Sequence, residues 1–178
     1  MGGADDRMVC VFGSGEAPAG SPACALAGEV GRVLAGLGCG VANGGYGGTM
    51  EAVSRAAAQA GAEVVGVTCR LWRSRPNAFL TRTIETRDLF ERVSTLIALG
   101  TSGYVVLPGG TGTLMELSAV WELSAKGHAP GRPVVCLGPY WRPLVELMAR
   151  SHPEAAGRVR FASAPAELER HFGAGGGS

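Results

Sequence analysis

The sequence has few of the features that mark membrane, secreted and nucleic-acid-binding proteins. Only 17% of its 178 residues are charged and the formal net charge is +1, so there is no basic excess to attract nucleic acid or an acidic membrane surface. No apolar run approaches the ~20 residues of a membrane span, and the N-terminus MGGADDR does not resemble a signal peptide. We therefore expect a cytoplasmic protein with neither a membrane nor a nucleic-acid partner.

Metal-ligating and lysine residues are also scarce. The five cysteines never form a CxxC pair and the three histidines are isolated, so we expect no zinc site, no disulfide framework and no other metal or cofactor. Lys126 is the only lysine in the chain, beside 15 arginines. Any chemistry that requires a lysine has only this residue to use.

Glycine, by contrast, is abundant. Its 29 residues are about 16% of the chain, against roughly 7% in average proteins, and their irregular spacing indicates many tight turns. A length of 178 residues and a hydrophobic content of 46% fit one domain of ordinary size. We expect that domain to cover residues 1–172 and residues 173–178 to form a disordered tail.

Short apolar runs alternate with helical patterns along the chain. The patterns predict strands at residues 8–12, 40–43, 64–68, 83–85, 103–107, 134–137 and 159–162, and helices at 21–37, 49–60, 88–99, 113–125, 143–150 and 165–172. Strands that are nearly all apolar are typical of a parallel sheet buried on both faces. The sequence therefore predicts an α/β fold, with a mainly parallel sheet flanked by helices on both faces.

Three glycine-rich turns follow predicted strands. The first covers residues 13–15, the second residues 44–49 and the third residues 108–113. Ligands of parallel sheets bind at the carboxyl ends of the strands, and consecutive exposed amides before a helix bind anions. We therefore predict a phosphate site in these turns, made by Gly109, Gly110, Thr111, Gly112, Thr113, Ser14, Gly44, Gly45, Gly47, Gly48 and Thr49. The alternative is that the glycines only permit tight bends, which explains the first turn adequately by itself.

The common nucleotide-binding motifs do not fit these turns. The third glycine of the dinucleotide fingerprint is replaced by Pro18, Met50 and Met115 in the three turns respectively. A P-loop needs Gly-Lys-Ser/Thr, whereas the only lysine lies in Ala-Lys-Gly. A mononucleotide or a sugar phosphate fits the pattern better.

Two charged residues are candidates for chemistry beside the third turn. Glu116 lies one helical turn after Thr113, where it is either a catalytic carboxylate or the second member of a Thr113-x-x-Glu116 capping box. Arg92 lies in the helix that leads into the strand before this turn. Its planar fork suits a phosphate or a nucleobase, whereas the arginines at positions 70, 73 and 75 are expected to be solvated.

The segment PGGTGTLME, residues 108–116, resembles the PGGxGTxxE signature of the Lonely Guy (LOG) family. Members are cytokinin riboside 5′-monophosphate phosphoribohydrolases, often mislabelled lysine decarboxylases. The likeness runs from about Val9 to Leu147 and includes VFGSG, NGGYGGTMEAVSRAA and Arg132-Pro133-Val134. It implies a modified Rossmann-like fold, a homodimer and a small-molecule substrate. The implied reaction is hydrolysis of the N-glycosidic bond of a nucleoside 5′-monophosphate, AMP or N6-modified AMP, to free base and ribose 5-phosphate.

The resemblance also implies roles for individual residues. The amides of the third turn and Thr113 would bind the phosphate, Glu116 would act at the ribose and the attacking water, and Arg92 matches the arginine of a catalytic Arg-Lys pair. A carboxylate suits this position because glycoside cleavage passes through an oxocarbenium-like state.

The chain departs from the family pattern at two places. Val93 replaces the lysine of the Arg-Lys pair, and GGYGGTMEA replaces the usual GGGxxGLMG. The motif GGYGGTMEA looks closer to that of LOG-like relatives that bind nucleotides or carry molybdenum cofactor. The alternative function is therefore a non-catalytic LOG-like nucleotide-binding or molybdenum-cofactor carrier protein.

Overall fold

The fold is a parallel sheet with helices on both faces, as the sequence predicts. The computed structural model describes residues 7–173, so the predicted tail lies outside the described residues apart from Gly173. The strands are β1 (Met8–Phe12), β2 (Gly40–Asn43), β3 (Val64–Cys69), β4 (Arg82–Thr86), β5 (Gly103–Val106), β6 (Val134–Leu137) and β7 (Val159–Ala162). The helices are α1 (Pro22–Gly36), α2 (Thr49–Gln59), α3 (Leu89–Leu99), α4 (Thr111–Ala125), α5 (Arg142–Ala149), α6 (Pro153–Ala156) and α7 (Glu169–Phe172), with a 3-10 turn at Pro165–Leu168.

All seven strands are parallel, in the order β4-β3-β2-β1-β5-β6-β7. The order reverses between β1 and β5, because the chain runs outward from β1 through β2, β3 and β4 and then returns to pair β5 with the other side of β1. In open α/β sheets such a reversal opens a crevice at the carboxyl ends of the strands. This is the edge that carries all three glycine turns.

Apolar side chains cover both faces of the sheet, which explains why its central strands are apolar along their whole length. One core contains Leu96 of α3 and Leu117 of α4 with Phe12 and Tyr104 of the sheet. The other contains residues of α1, α2 and α7, with Leu34 of α1 fully buried. Within residues 7–173, no helix is long and apolar enough to cross a membrane.

Three elements differ from the sequence prediction by more than one residue at an end. Helix α4 begins at Thr111 rather than at residue 113, because Gly110 has the extended backbone of an N-cap. The short helix α6, with Pro153 in its first turn, was not predicted, although proline is favoured at that position. The predicted C-terminal helix is divided into a 3-10 turn and α7, with Glu169 at the junction.

Candidate active site

A cavity of about 550 Å³ lies at the carboxyl ends of β1, β2, β3 and β5. This volume is in the range of pockets that hold small organic ligands, ~300–1,000 Å³. Its walls come from the three glycine turns, the loop between β3 and β4, and helices α3 and α4. The lining residues are Gly13, Ser14, Gly15, Glu16, Tyr46, Gly47, Met50, Trp72, Ser74, Arg75, Arg92, Gly110, Thr111, Gly112, Thr113 and Glu116.

One end of the cavity is the N-terminus of α4. Gly110, Thr111, Gly112 and Thr113 line it, and the first amides of a helix have no partner within the helix. Gly110 makes no side-chain cap, so these amides and the positive end of the helix dipole are left to the cavity. The arrangement suits an anion such as a phosphate.

Gly109 supports this turn without lining the cavity, although it was predicted to belong to the phosphate site. A Cβ atom at Gly109 would overlap the side chain of Thr113, so only glycine allows this close approach. The hydroxyl of Tyr140 donates a hydrogen bond to the Gly109 carbonyl at 3.0 Å. Gly109 therefore shapes the third turn rather than forming the cavity surface.

The second glycine turn likewise contains some residues that line the cavity and others that only support it. Gly47 lines the cavity with Ser14 of the first turn, whereas the other residues predicted for the phosphate site do not, namely Gly44, Gly45, Gly48 and Thr49. The Thr49 amide and hydroxyl instead donate to the Ser14 carbonyl at 2.9 and 3.1 Å. A Cβ at Gly48, whose φ is +64°, would overlap the same carbonyl. Gly48 and Thr49 therefore join the first and second turns.

The wall of the cavity contains a buried ion pair. Arg92 Nη1 lies 3.4 Å from Glu116 Oε1, and the two side chains are 7% and 9% exposed. Arg92 Nε donates to the Val67 carbonyl at 2.8 Å, so the end of β3 holds the plane of the guanidinium. Burial raises the pKa of Glu116 to about 7, and Arg92 opposes that rise. A carboxyl with this pKa exchanges a proton readily near neutral pH.

The capping-box interpretation of Glu116 is wrong. Since α4 begins at Thr111, Thr113 is the third residue of the helix and not its N-cap. The Glu116 side chain contacts Arg92, 24 residues away, rather than the Thr113 amide.

Two aromatic rings flank the guanidinium of Arg92. Its central carbon is 5.7 Å from the centre of the Tyr46 ring and 4.9 Å from that of Trp72. The rings meet edge to face with centres 5.8 Å apart. The Tyr46 hydroxyl accepts from the Cys69 amide at 2.8 Å and donates to the Cys69 carbonyl at 3.2 Å. Cation–π contacts stabilise a charge that burial would otherwise disfavour.

Several cavity-lining residues were not predicted from the sequence, including Tyr46, Trp72 and Ser74. Arg75 is exposed, as expected, but it also lines the cavity. A tryptophan among the arginines of an irregular segment was the one available signal. The loop that brings these residues to the cavity has no helical or strand period from which its path could be derived.

Comparison with known proteins agrees with the resemblance in the sequence. The sequence model of the family described as "Possible lysine decarboxylase" matches residues 50–168. The chain belongs to this family, the LOG family. Over 118 residues it is 33% identical to the cytokinin riboside 5′-monophosphate phosphoribohydrolase of Mycobacterium tuberculosis, a match covering 65% of this chain and 62% of that protein. The chain thus matches less than two thirds of the length of this curated relative.

Solved structures show the same fold. An X-ray structure from a structural-genomics programme superposes with a TM-score of 0.75 at 25% identity, covering 92% of this chain and 96% of the other. The molybdenum cofactor binding protein of Rippkaea orientalis gives 0.70 at 22% identity, covering 90% and 91% of the two chains. The molybdenum cofactor carrier protein of Chlamydomonas reinhardtii gives 0.64 at 23% identity, covering 90% and 92%.

The family description as a lysine decarboxylase does not suit the position of the only lysine in this LOG-family chain. Lys126 is the C-cap of α4, is 66% exposed and pairs with Glu122 at 3.8 Å. The cavity lies at the opposite end of this 15-residue helix, about 22 Å away. Among the described residues, no cluster of three or more His, Cys, Asp or Glu could hold a metal ion.

Proposed function

We propose that the protein hydrolyses the N-glycosidic bond of a nucleoside 5′-monophosphate, AMP or an N6-modified AMP, to the free base and ribose 5-phosphate. The observation that carries the proposal is the buried Arg92–Glu116 pair in a cavity whose end is the N-terminus of α4. The distant relative from M. tuberculosis, named as a phosphoribohydrolase, supports the same reaction.

The 5′-phosphate binds at the third glycine turn in this proposal. The amides of Thr111, Gly112 and Thr113 donate to its oxygens, and the dipole of α4 stabilises its charge. Ser14 faces the same cavity from the first turn and adds a hydroxyl donor. Fixing the phosphate positions the ribose over the side chain of Glu116, which lies one helical turn further along α4.

Glu116 carries the chemical step. As a carboxylate it accepts a proton from water, and the oxygen of that water bonds to C1′ while the bond to the base nitrogen breaks. The electron pair of the broken bond leaves with the base, which takes up a proton from solvent, and Glu116 releases to solvent the proton that it accepted from water. The negative charge of Glu116 also stabilises the oxocarbenium character at C1′. Arg92 holds the carboxylate and carries a fixed positive charge beside it.

The direct test is incubation with AMP and with N6-isopentenyl AMP, followed by chromatographic detection of the free base and of ribose 5-phosphate in equal amounts. We expect both products from at least one of these substrates. Binding of the monophosphates without release of base would overturn the hydrolase proposal.

A second candidate function is binding or carriage of a phosphorylated heterocycle without hydrolysis. The observation that favours it is Val93, which replaces the family lysine and is buried against the core. Two structures of the same fold are named as molybdenum cofactor binding or carrier proteins, and a phosphorylated cargo would use the same third turn. Native mass spectrometry of the purified protein tests this function, because a carrier should retain its cargo. Turnover of monophosphates at enzymatic rates would contradict carriage.

We also propose that the protein forms a homodimer. An apolar groove between α4 and α5 is lined by Leu114, Trp121, Leu144 and Met148, and Leu147 of α5 is exposed nearby. A second copy of the chain would bury this surface. Light scattering after size-exclusion chromatography should give twice the chain mass, and Met148→Glu should shift it toward the monomer. A monomeric wild-type protein would contradict the proposal.

A further inference from the structure

Trp72 lies in the irregular segment between β3 and β4 and lines the cavity, as does the N-terminus of α4. In the strand order, the end of β3 is separated from that of β5 by three strand spacings, about 14 Å. The Arg92 side chain lies between these strand ends, since it contacts both Trp72 and Glu116. The cavity therefore presents an anion site, a carboxylate and an aromatic ring in that order.

A nucleoside 5′-monophosphate has the same order of groups. Its phosphate fits the helix terminus, and its ribose lies at Glu116. Its base then reaches the wall that carries Trp72. Trp72 is 39% exposed, so part of its surface is open to a ligand. Aromatic side chains bind nucleobases by stacking, and the strength of this contact depends little on which base is bound.

The loop that carries Trp72 is held in position before any ligand binds. The Asn77 amide donates to the Gly45 carbonyl at 2.9 Å, and Asn77 Nδ2 donates to the Tyr46 carbonyl at 3.0 Å. The Trp72 amide donates to the Cys69 carbonyl at 3.1 Å. These bonds tie the loop to the second glycine turn and to β3, which lowers the entropy lost when a ligand stacks there.

We propose that Trp72 is the stacking residue for the base of the nucleotide, and so determines that the ligand carries an aromatic base. This inference rests on the proposed function for the identity of the ligand. It adds a residue of the β3–β4 loop that the signature motif does not include. Trp72 selects for a flat ring, while Ser74 and Arg75 on the same loop face the cavity with hydrogen-bond donors.

The test compares AMP with ribose 5-phosphate, which has the phosphate and the sugar but no base. Dissociation constants are measured by calorimetry in the Glu116→Gln background, which prevents turnover. Trp72→Ala should weaken AMP binding about tenfold to a hundredfold and leave ribose 5-phosphate binding unchanged. Trp72→Phe should retain most of the affinity for AMP. Leu71→Ala is the matched control, because Leu71 is the exposed neighbour of Trp72 and does not line the cavity.

Intrinsic fluorescence gives a second readout that a purely structural role would not change. A base that stacks on Trp72 should quench the emission, and Trp72→Phe should remove most of this quenching although AMP still binds. Equal weakening of AMP and ribose 5-phosphate would overturn the inference, since Trp72 would then act only through Arg92. Unchanged AMP binding in Trp72→Ala would overturn it as well.

The outcomes separate this inference from the proposed reaction. If the wild-type protein binds AMP without hydrolysing it and Trp72→Ala loses the binding, the hydrolase proposal fails and the stacking role stands. If the wild type hydrolyses AMP and Trp72→Ala binds AMP normally, the hydrolase proposal stands and the stacking role fails. Absence of AMP binding to the wild type would contradict both.

Discussion

Arg92 Nη1 lies 3.4 Å from Glu116 Oε1, and both side chains are less than a tenth exposed. The pair joins α3 to α4 in the wall of the cavity. Arg92 is also fixed by the Val67 carbonyl and lies between two aromatic rings. Glu116 has one described partner, Arg92. The carboxylate is thus oriented from one side while its burial raises its pKa.

Glu116→Gln should reduce hydrolysis about 10²–10⁴-fold, because a neutral amide cannot accept a proton from water. The shape is retained, so the fold should remain intact by circular dichroism. The matched control is Glu122→Gln on the same helix, where the carboxylate is 66% exposed and pairs with Lys126. Near-normal turnover in Glu116→Gln would remove Glu116 from the chemistry.

The pH dependence of kcat/KM should reflect the ionisation of Glu116. Because the pKa of this carboxyl is raised to about 7 and the carboxylate is the active form, activity should rise with pH through about 7. Arg92 lowers this pKa, so Arg92→Ala should move the acid limb to higher pH. Titration of the substrate cannot respond to a change in the protein. If the acid limb of the pH profile stays at the same pH in Arg92→Ala, the ionisation that it reflects belongs to the substrate and not to Glu116.

The free energy of unfolding should decrease as pH rises, whereas the activity should increase. The pKa of Glu116 is higher in the folded state than the ordinary 4.5, so between these values the native protein binds more protons than the unfolded chain. Stability relative to Glu116→Gln is therefore greatest below pH 4.5 and falls as pH rises to about 7, by up to about 3 kcal/mol. The difference in melting temperature between the two proteins, measured from pH 4.5 to 8, checks this sign.

Arg92→Ala should lower kcat/KM strongly, since it leaves the buried Glu116 without its cation. Arg92→Lys keeps the charge but loses the planar fork that reaches both Val67 and Glu116, so we expect poor rescue. Arg73→Ala is the control, because Arg73 is exposed and does not line the cavity. Equal activity of the Ala variants at positions 92 and 73 would exclude Arg92 from the site and favour the binding function. Arg75 is unsuitable as a control because it lines the cavity.

Gly44→Ala should reproduce the loss of activity of Arg92→Ala. A Cβ atom at Gly44 would overlap Arg92 Nη2 and lie 2.5 Å from Met50 Sδ, so the guanidinium would have to move. Gly36→Ala is the control: nothing lies within 4 Å of a Cβ there, and in a helix this change is expected to be neutral or to stabilise by up to about 1 kcal/mol. Steady-state kinetics of the two variants give the comparison, and full activity in Gly44→Ala would show that the guanidinium position is unimportant.

Much of the architecture could be predicted because it depends on local patterns. Apolar runs such as Val134–Leu137 identify strands that are buried on both faces. Ser21 and Asp88 mark the starts of α1 and α3, where their side chains accept hydrogen bonds from amides three residues further on. The predicted start of α4 was two residues late, since both Gly110 and Thr113 are acceptable helix starts in the sequence.

The candidate site was predicted in part. Arg92 and Glu116 could be selected from the sequence by the charges they carry beside a glycine turn, and by resemblance to the LOG family. Their contact could not be derived, because it joins side chains 24 residues apart through the packing of two helices on one face of the sheet. The supporting roles of Gly44 and Gly48 likewise depend on atoms from distant segments.

The sequence by itself determined the parallel sheet, the edge at which ligands bind and the helix terminus suited to an anion, because periodicity and turn residues act over a few positions. Only the tertiary structure decided that Glu116 contacts Arg92 rather than capping its own helix, and that Trp72 lines the cavity. These arrangements depend on burial and on hydrogen bonds between separate loops, such as that from Asn77 to Gly45. Such free energies arise only once the chain has brought distant residues together.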